Sequence, residues 1–133
     1  MAKTTHKQRA LKMLESLGWT VADVEKWIPR TNIRVDLFGF ADLLAVKGTQ
    51  TLAVQATSIN DTGGGEFSRH VAKMIAEPRL GNCLDAGWLV ELWAVRNTPT
   101  KSGQTVRIAS FELLDEDILV CESSDVLITS EQE

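Results

Sequence analysis

The stretch VDLFGFADLLAV, residues 35–46, constrains the fold more than any other part of the chain. Apart from Asp36 and Asp42 it is almost wholly apolar. A strand reads this way when both of its faces are covered. After a turn at KGTQ comes a second short run, TLAVQAT (51–57), and after Gly87 a third, WLVELWAV (88–95). TVRIASFELL (105–114) reads as a further strand, and WTVADVEKW (19–27), rich in Trp and Val, as an earlier one that Pro29 ends. Strands of this kind need helices to cover them. Ala10, Leu11, Leu14 and Leu17 recur at helical spacing and predict a helix over 5–17, stopped by Gly18, with Lys3, Lys7, Arg9 and Lys12 on its other sides. A second helix is expected over 67–77, broken by Pro78, after the polar loop SINDTGGGE (58–66). The order is helix, three strands, helix, strand, strand. It implies an α/β fold with a mixed β-sheet flanked by helices. A single domain over 1–133 is expected, with a core at about 5–114 and an acidic extension, 115–133, open between strand, short helix and frayed tail.

The 133 residues suit one domain, and 44% hydrophobic with 24% charged residues is the balance of a globular chain. There is no apolar run of about 18 residues to span a bilayer, and the charged N-terminus lacks a signal-peptide core. Cys83 and Cys121 lack CxxC spacing and read as reduced thiols in a cytoplasmic protein. The net charge of −4 conceals an asymmetry. Residues 1–80 hold eleven Lys/Arg against eight Asp/Glu, whereas 81–133 hold three against ten. A polyanion needs a local basic surface rather than a basic total, and only the first part offers one.

A tight reversal at 47–50 pairs Lys47 with Gln50 or Val46 with Thr51, and either choice puts Asp42 opposite Gln55. Paired side chains share a sheet face with Cβ atoms roughly 4.5–5.5 Å apart, and Thr57, two residues on, shares it too. A carboxylate, an amide and a hydroxyl thus meet inside apolar strands, where unpaired polar groups are costly. Two readings follow. The carboxylate and amide oxygens form half a shell for a hard cation such as Mg²⁺, or Asp42 caps a loop while Gln55 satisfies the backbone.

The string DLFGFADLLAV…LAVQATS resembles the PD-(D/E)XK nuclease superfamily, in particular its restriction-endonuclease-like and Holliday-junction-resolvase-like phage and bacterial branch. The resemblance runs from about Leu11 to Trp93 and implies an αβββαβ core. It also implies a Mg²⁺-dependent (or Mn²⁺-dependent) DNA endonuclease in which metal-activated water attacks phosphorus. Asp42 matches the family's metal-binding Asp, and Gln55-Ala56-Thr57 stands at (D/E)-X-K. Gln55 replaces an acidic ligand and Thr57 the lysine, so Lys73 on the following helix, or Lys47, is the candidate replacement cation. Glu15 resembles the accessory metal-binding glutamate of some members, though it also suits an exposed pairing with Lys12. The other function this pattern allows is a catalytically reduced relative that binds nucleic acid or a partner protein without cleavage.

Arg69 and Lys73 share a helical face and, with Ser58 and Asn60 in the preceding segment, are candidates to meet a DNA backbone. Lys73 equally suits a pairing with Glu77 at i+4. Asp36 lies about 20 Å from Asp42 along a straight strand, so it reaches the site only if Gly39 bends the chain; pairing with Arg34 is the simpler expectation. Glu25 reads as a strand-edge residue, and His6 and His70 lack metal-binding companions. Gly63-Gly64-Gly65 lacks the Gly-Lys-Ser/Thr of a phosphate loop. Trp88 and Trp93 fall on opposite strand faces, with core packing as their default. The partly apolar segment ILVCESSDVLIT (118–129) suits either a homodimer interface or an edge strand.

Overall fold

Thr5 opens the first helix with a capping box: its hydroxyl accepts from the Gln8 backbone N–H, and the Gln8 side chain accepts from the Thr5 N–H. The helix, α1 (His6–Ser16), buries Ala10, Met13 and Leu14 in one stripe. A fully buried leucine such as Leu14 contributes roughly 1.5–3 kcal/mol. In this computed structural model the described residues are 5–60, 64–97, 104–123 and 126–128. The remaining elements are β1 (Thr20–Asp23), β2 (Lys26–Ile28), β3 (Ile33–Val35), β4 (Leu43–Lys47), β5 (Gln50–Ile59), α2 (Gly64–Ile75), α3 (Pro78–Asp85), β6 (Leu89–Arg96), β7 (Gln104–Leu114), β8 (Asp117–Glu122) and β9 (Val126–Ile128).

The main sheet runs β1-β4-β5-β6-β7-β8, with β9 pairing β7 beyond the end of β8, and β2-β3 form a separate ribbon. Among the described strands only β5 and β6 pair in parallel, joined through α2 and α3. The sheet is therefore mixed and helix-flanked, as the order of apolar runs implies. Alternation along β5 divides the core. Leu52, Val54 and Ala56 pack with α1 residues, whereas Ala53 and Ile59 pack with Phe67, Val71 and Met74 of α2 and Leu80 of α3. Trp93 belongs to the first cluster and Trp88 packs on the second, on opposite faces as the spacing requires. Cys83 is buried, Cys121 is exposed, and both are free thiols. No helix among the described residues is long and apolar enough to cross a membrane.

The reversal between β4 and β5 has the expected register, from Leu43↔Val54 to Lys47↔Gln50. Four expectations change. The run 19–27 is two strands in different sheets: Val24 extends the β1–β4 ladder by donating its N–H to the Asp42 carbonyl, and Glu25 then donates its N–H to Asp23 Oδ1 in a side-chain-closed turn before β2. The run 35–46 is not one strand. A bridge between Leu37 and Ala41 closes a tight turn with Phe38 and Gly39 at φ +54° and +79°, and the strand starts only at Leu43. Pro78 ends one helix and starts another. It occupies the first turn of α3, where its missing N–H is no loss, and Glu77 caps that helix through the Arg79 N–H. The described part of the acidic extension turns at 115–116 and then runs as strand: β8 and β9 form the sheet edge against β7. Residues 61–63 of the glycine loop, and residues 98–103, lie outside the described residues.

Candidate functional site

Beyond Leu43 the two central strands part, and the site forms in the opening. Asp42 still donates its N–H to the Val54 carbonyl, but its side chain turns back over β5. Oδ1 accepts the Ala56 N–H at 3.0 Å, and Oδ2 lies 3.4 Å from Gln55 Nε2. Asp42 is 4% exposed, and burial pushes its carboxyl up to about 7. The Ala56 N–H opposes that rise, while the Asp36 and Glu25 carboxylates reinforce it. The acid and the carboxamide are thus neighbours, as the register requires.

The turn at 37–41 brings Asp36 to the other side of Gln55. Rotated about its terminal bond, the Gln55 amide donates to Asp36 Oδ2 at 3.1 Å and to the Phe40 carbonyl instead of to Asp42 and the Ala56 carbonyl, both at 3.4 Å. The shorter contacts favour the orientation toward Asp36. In either orientation the single amide oxygen faces a carboxylate and a carbonyl. An amide held between two carboxylates leaves an electron-rich corner that a cation or a proton relieves.

Asp36 does not pair with Arg34. Its own carboxyl is raised by burial and then by Glu25, with which it shares a hydrogen bond. Arg34 reaches Glu25 at 3.7 Å instead. Glu25 is no bystander at a strand edge: Lys7 of α1 bridges it at 2.7 Å and Asp23 at 2.8 Å. Burial works against the Lys7 charge, but these two hydrogen bonds outweigh it and raise its pKa. Together with the first turn of α1, Asp42, Gln55 and Thr57, these residues line a cleft of about 510 Å³. Glu15 is exposed near the other end of α1 and is not among the residues lining this cleft.

Thr57 is buried and its Oγ1 lies 3.1 Å from His70 Nε2, so one donates to the other. Spacing gave His70 no role; the packing of α2 over β5 supplies one. Burial, and then Lys73, lowers its pKa, so the imidazole is neutral at pH 7. Lys73 lines a small cavity with Asp36, Gln55 and His70, and an adjoining groove with Glu66, Arg69 and His70. It does not pair with Glu77, whose carboxylate is held down to about 2 by the Arg79 side chain at 2.9 and 3.0 Å and by the Arg79 N–H. Lys47 is elsewhere: it donates to the Leu17 carbonyl at 2.8 Å and lies over the Trp19 ring. Of the proposed backbone contacts, Arg69 is exposed on α2. Alternation places Ser58 on the sheet face opposite Gln55 and Thr57, and Asn60 is bonded through its carbonyl to Arg96 and through its side chain to Asn97.

Among the described residues no group of three or more His, Cys, Asp and Glu side chains is placed to hold a metal ion. A cation here would rely on Asp42, on the Gln55 amide oxygen and on a backbone carbonyl. Mg²⁺ accepts such a set because it keeps several of its waters. Comparison with protein-family models, with curated proteins and with solved structures finds no match.

Proposed function

We propose that this chain is a Mg²⁺-dependent DNA endonuclease of PD-(D/E)XK type, hydrolysing phosphodiester bonds at the opening between β4 and β5. The observation that carries the reading is the Asp42–Gln55 contact: a buried carboxyl beside a carboxamide that always turns an oxygen toward acceptors. Asp42 and Gln55 would hold the ion, with the Ala56 carbonyl within reach. When bound, Mg²⁺ supplies an activated water and offsets charge on the phosphate. The chain does the rest. Lys73 and Arg69 lie along the groove beside the site and meet the phosphate backbone. His70, neutral and tied to Thr57, accepts a proton from the attacking water. Asp36 and Phe40 fix the Gln55 amide.

Purified protein incubated with supercoiled, linear, branched and single-stranded DNA in Mg²⁺, Mn²⁺ or EDTA tests the reading. Metal-dependent cleavage that Asp42→Ala abolishes supports it; unchanged turnover by that variant refutes it. A second reading has its own observation. Thr57 occupies the lysine position and engages His70, and Gln55 brings no charge, which favours a protein that binds DNA without cutting. Binding with no nicking of any substrate in either metal selects this second reading.

A further inference from the structure

Beside the Asp42 site, on the far side of the 37–41 turn, is a second, apolar cavity of about 260 Å³. It is lined by Phe38 at the tip of the turn, by Trp88 at the start of the third apolar run, and by Arg79, Asn82, Cys83 and Ala86 of α3 and its end. The two rings stand 5.9 Å apart at 49°, forming an open wedge. Phe38 is unusual in two respects. It holds φ +54°, a conformation that costs a non-glycine residue about 1–2 kcal/mol, and the residue is still 39% exposed. Strain of this kind persists where the surroundings impose it, and it concentrates at ligand sites. The imposition is visible. Leu37 and Ala41 exchange backbone hydrogen bonds across the turn, Phe40 is buried in the core beside it, and the Glu77–Arg79 pair lies against Gly39.

We propose that this wedge is a nucleobase pocket, taking an unpaired base of the strand that the Asp42 site cleaves. The proposal rests on the nuclease reading and narrows its substrate to DNA with single-stranded character. Four features point to that occupant. The cavity is below the roughly 300–1,000 Å³ of pockets for drug-sized ligands but suits one planar ring system. Inclined aromatic walls let a base stack on one ring and meet the other at its edge. The lining is almost wholly apolar, which suits the face of a stacked base and leaves the base's polar edge to solvent. Finally, one turn carries both sites. Phe38 is four residues from Asp42, at most about 14 Å of chain, and the Leu37–Ala41 bridge draws those ends together.

The test compares wild type, Phe38→Gly and Trp88→Phe in EDTA, using a labelled single strand and the duplex of the same sequence, read by anisotropy and by quenching of tryptophan fluorescence. The single strand is expected to bind more tightly than the duplex and to quench Trp88. Phe38→Gly relieves the backbone strain, so its thermal midpoint should hold or rise while its single-strand affinity falls about tenfold. Trp88→Phe keeps a stacking face and should retain most of the affinity. Equal single-strand binding by wild type and Phe38→Gly, or tighter binding of the duplex, overturns the pocket; where metal-dependent cleavage persists, the nuclease reading survives that result. If Phe38→Gly changes only self-association, in light scattering, the occupant is a second copy of the chain and the proposal is overturned. Absence of both DNA binding and cleavage in wild type removes the nuclease reading, and this proposal with it.

Discussion

Replacing Asp42 by Asn separates the electrostatic cost of the site from its function. Burial raises this carboxyl from 3.8 to about 7. Below pH 3.8 it is protonated in both folded and unfolded chains and adds no pH dependence. Between 3.8 and about 7 the unfolded chain releases the proton while the folded chain retains it, so stability falls by about 1.4 kcal/mol per pH unit. Above 7 a fixed penalty remains, about 4 kcal/mol in all. Asparagine keeps an oxygen for the Ala56 N–H but carries no charge. In urea denaturation at pH 5 and pH 8.5, Asp42→Asn should therefore gain on wild type by about 3 kcal/mol between the two conditions. It should also lose all metal-dependent cleavage. Mg²⁺ should restore wild-type stability at pH 8.5 and leave Asp42→Asn unchanged. A difference between the two proteins that does not vary with pH would refute the assignment of a buried, proton-holding Asp42.

Gln55→Glu places a third carboxylate between Asp36 and Asp42; without metal it should unfold at lower urea, and the Mg²⁺ concentration for half-maximal thermal stabilisation should fall about tenfold, since a unit charge at about 4 Å is worth roughly 1–4 kcal/mol. His70→Ala should destabilise by about 1–3 kcal/mol, since the buried Thr57 hydroxyl loses its partner, and should lower the cleavage rate on the order of a hundredfold and flatten the acid limb of the pH–rate profile, which in wild type falls as the imidazole gains its proton. An unaltered limb would dismiss His70 as the base. Gly39→Ala, at φ +79° against Glu77 and Arg79, should destabilise by more than about 1–2 kcal/mol in the same urea assay.

The central reversal was legible because a hairpin's register follows from its turn alone: Lys47 opposite Gln50 determines every pair back to Leu43 and Val54 and turns Asp42 toward Gln55. The first helix was equally plain, since Ala10, Leu11 and Leu14 recur at helical spacing and Ala10 and Leu14 are its buried face. The turn at 37–41 was hidden for a physical reason. Phe40 and Ala41 are buried there, so an apolar run that looks like strand is a reversal packed into the core, and Gly39, three residues after Asp36, is its one local signal. That turn delivers Asp36, and the break at Val24 delivers Glu25; neither placement follows from spacing along a strand. His70 reaches Thr57 only because α2 lies across β5, and helix placement over a sheet is a tertiary fact. Pro78 carries two opposite meanings, helix stop and helix start, and the sequence around it does not choose between them.

The outer border of the sheet changes step partway along. Residues of β7 and β8 pair with numbers adding to 231, those of β7 and β9 to 232, so one extra residue intervenes. Near that step Ser123 donates its N–H to the Ile108 carbonyl and accepts the Ile108 N–H on its own Oγ. A chain arriving from outside finds no uninterrupted row of amides to extend, only two short segments out of phase. Such an interruption guards an open sheet margin against indiscriminate strand addition and fibril growth. Leu119, partly bare on β8, lies on a margin that offers an incoming strand no continuous partner.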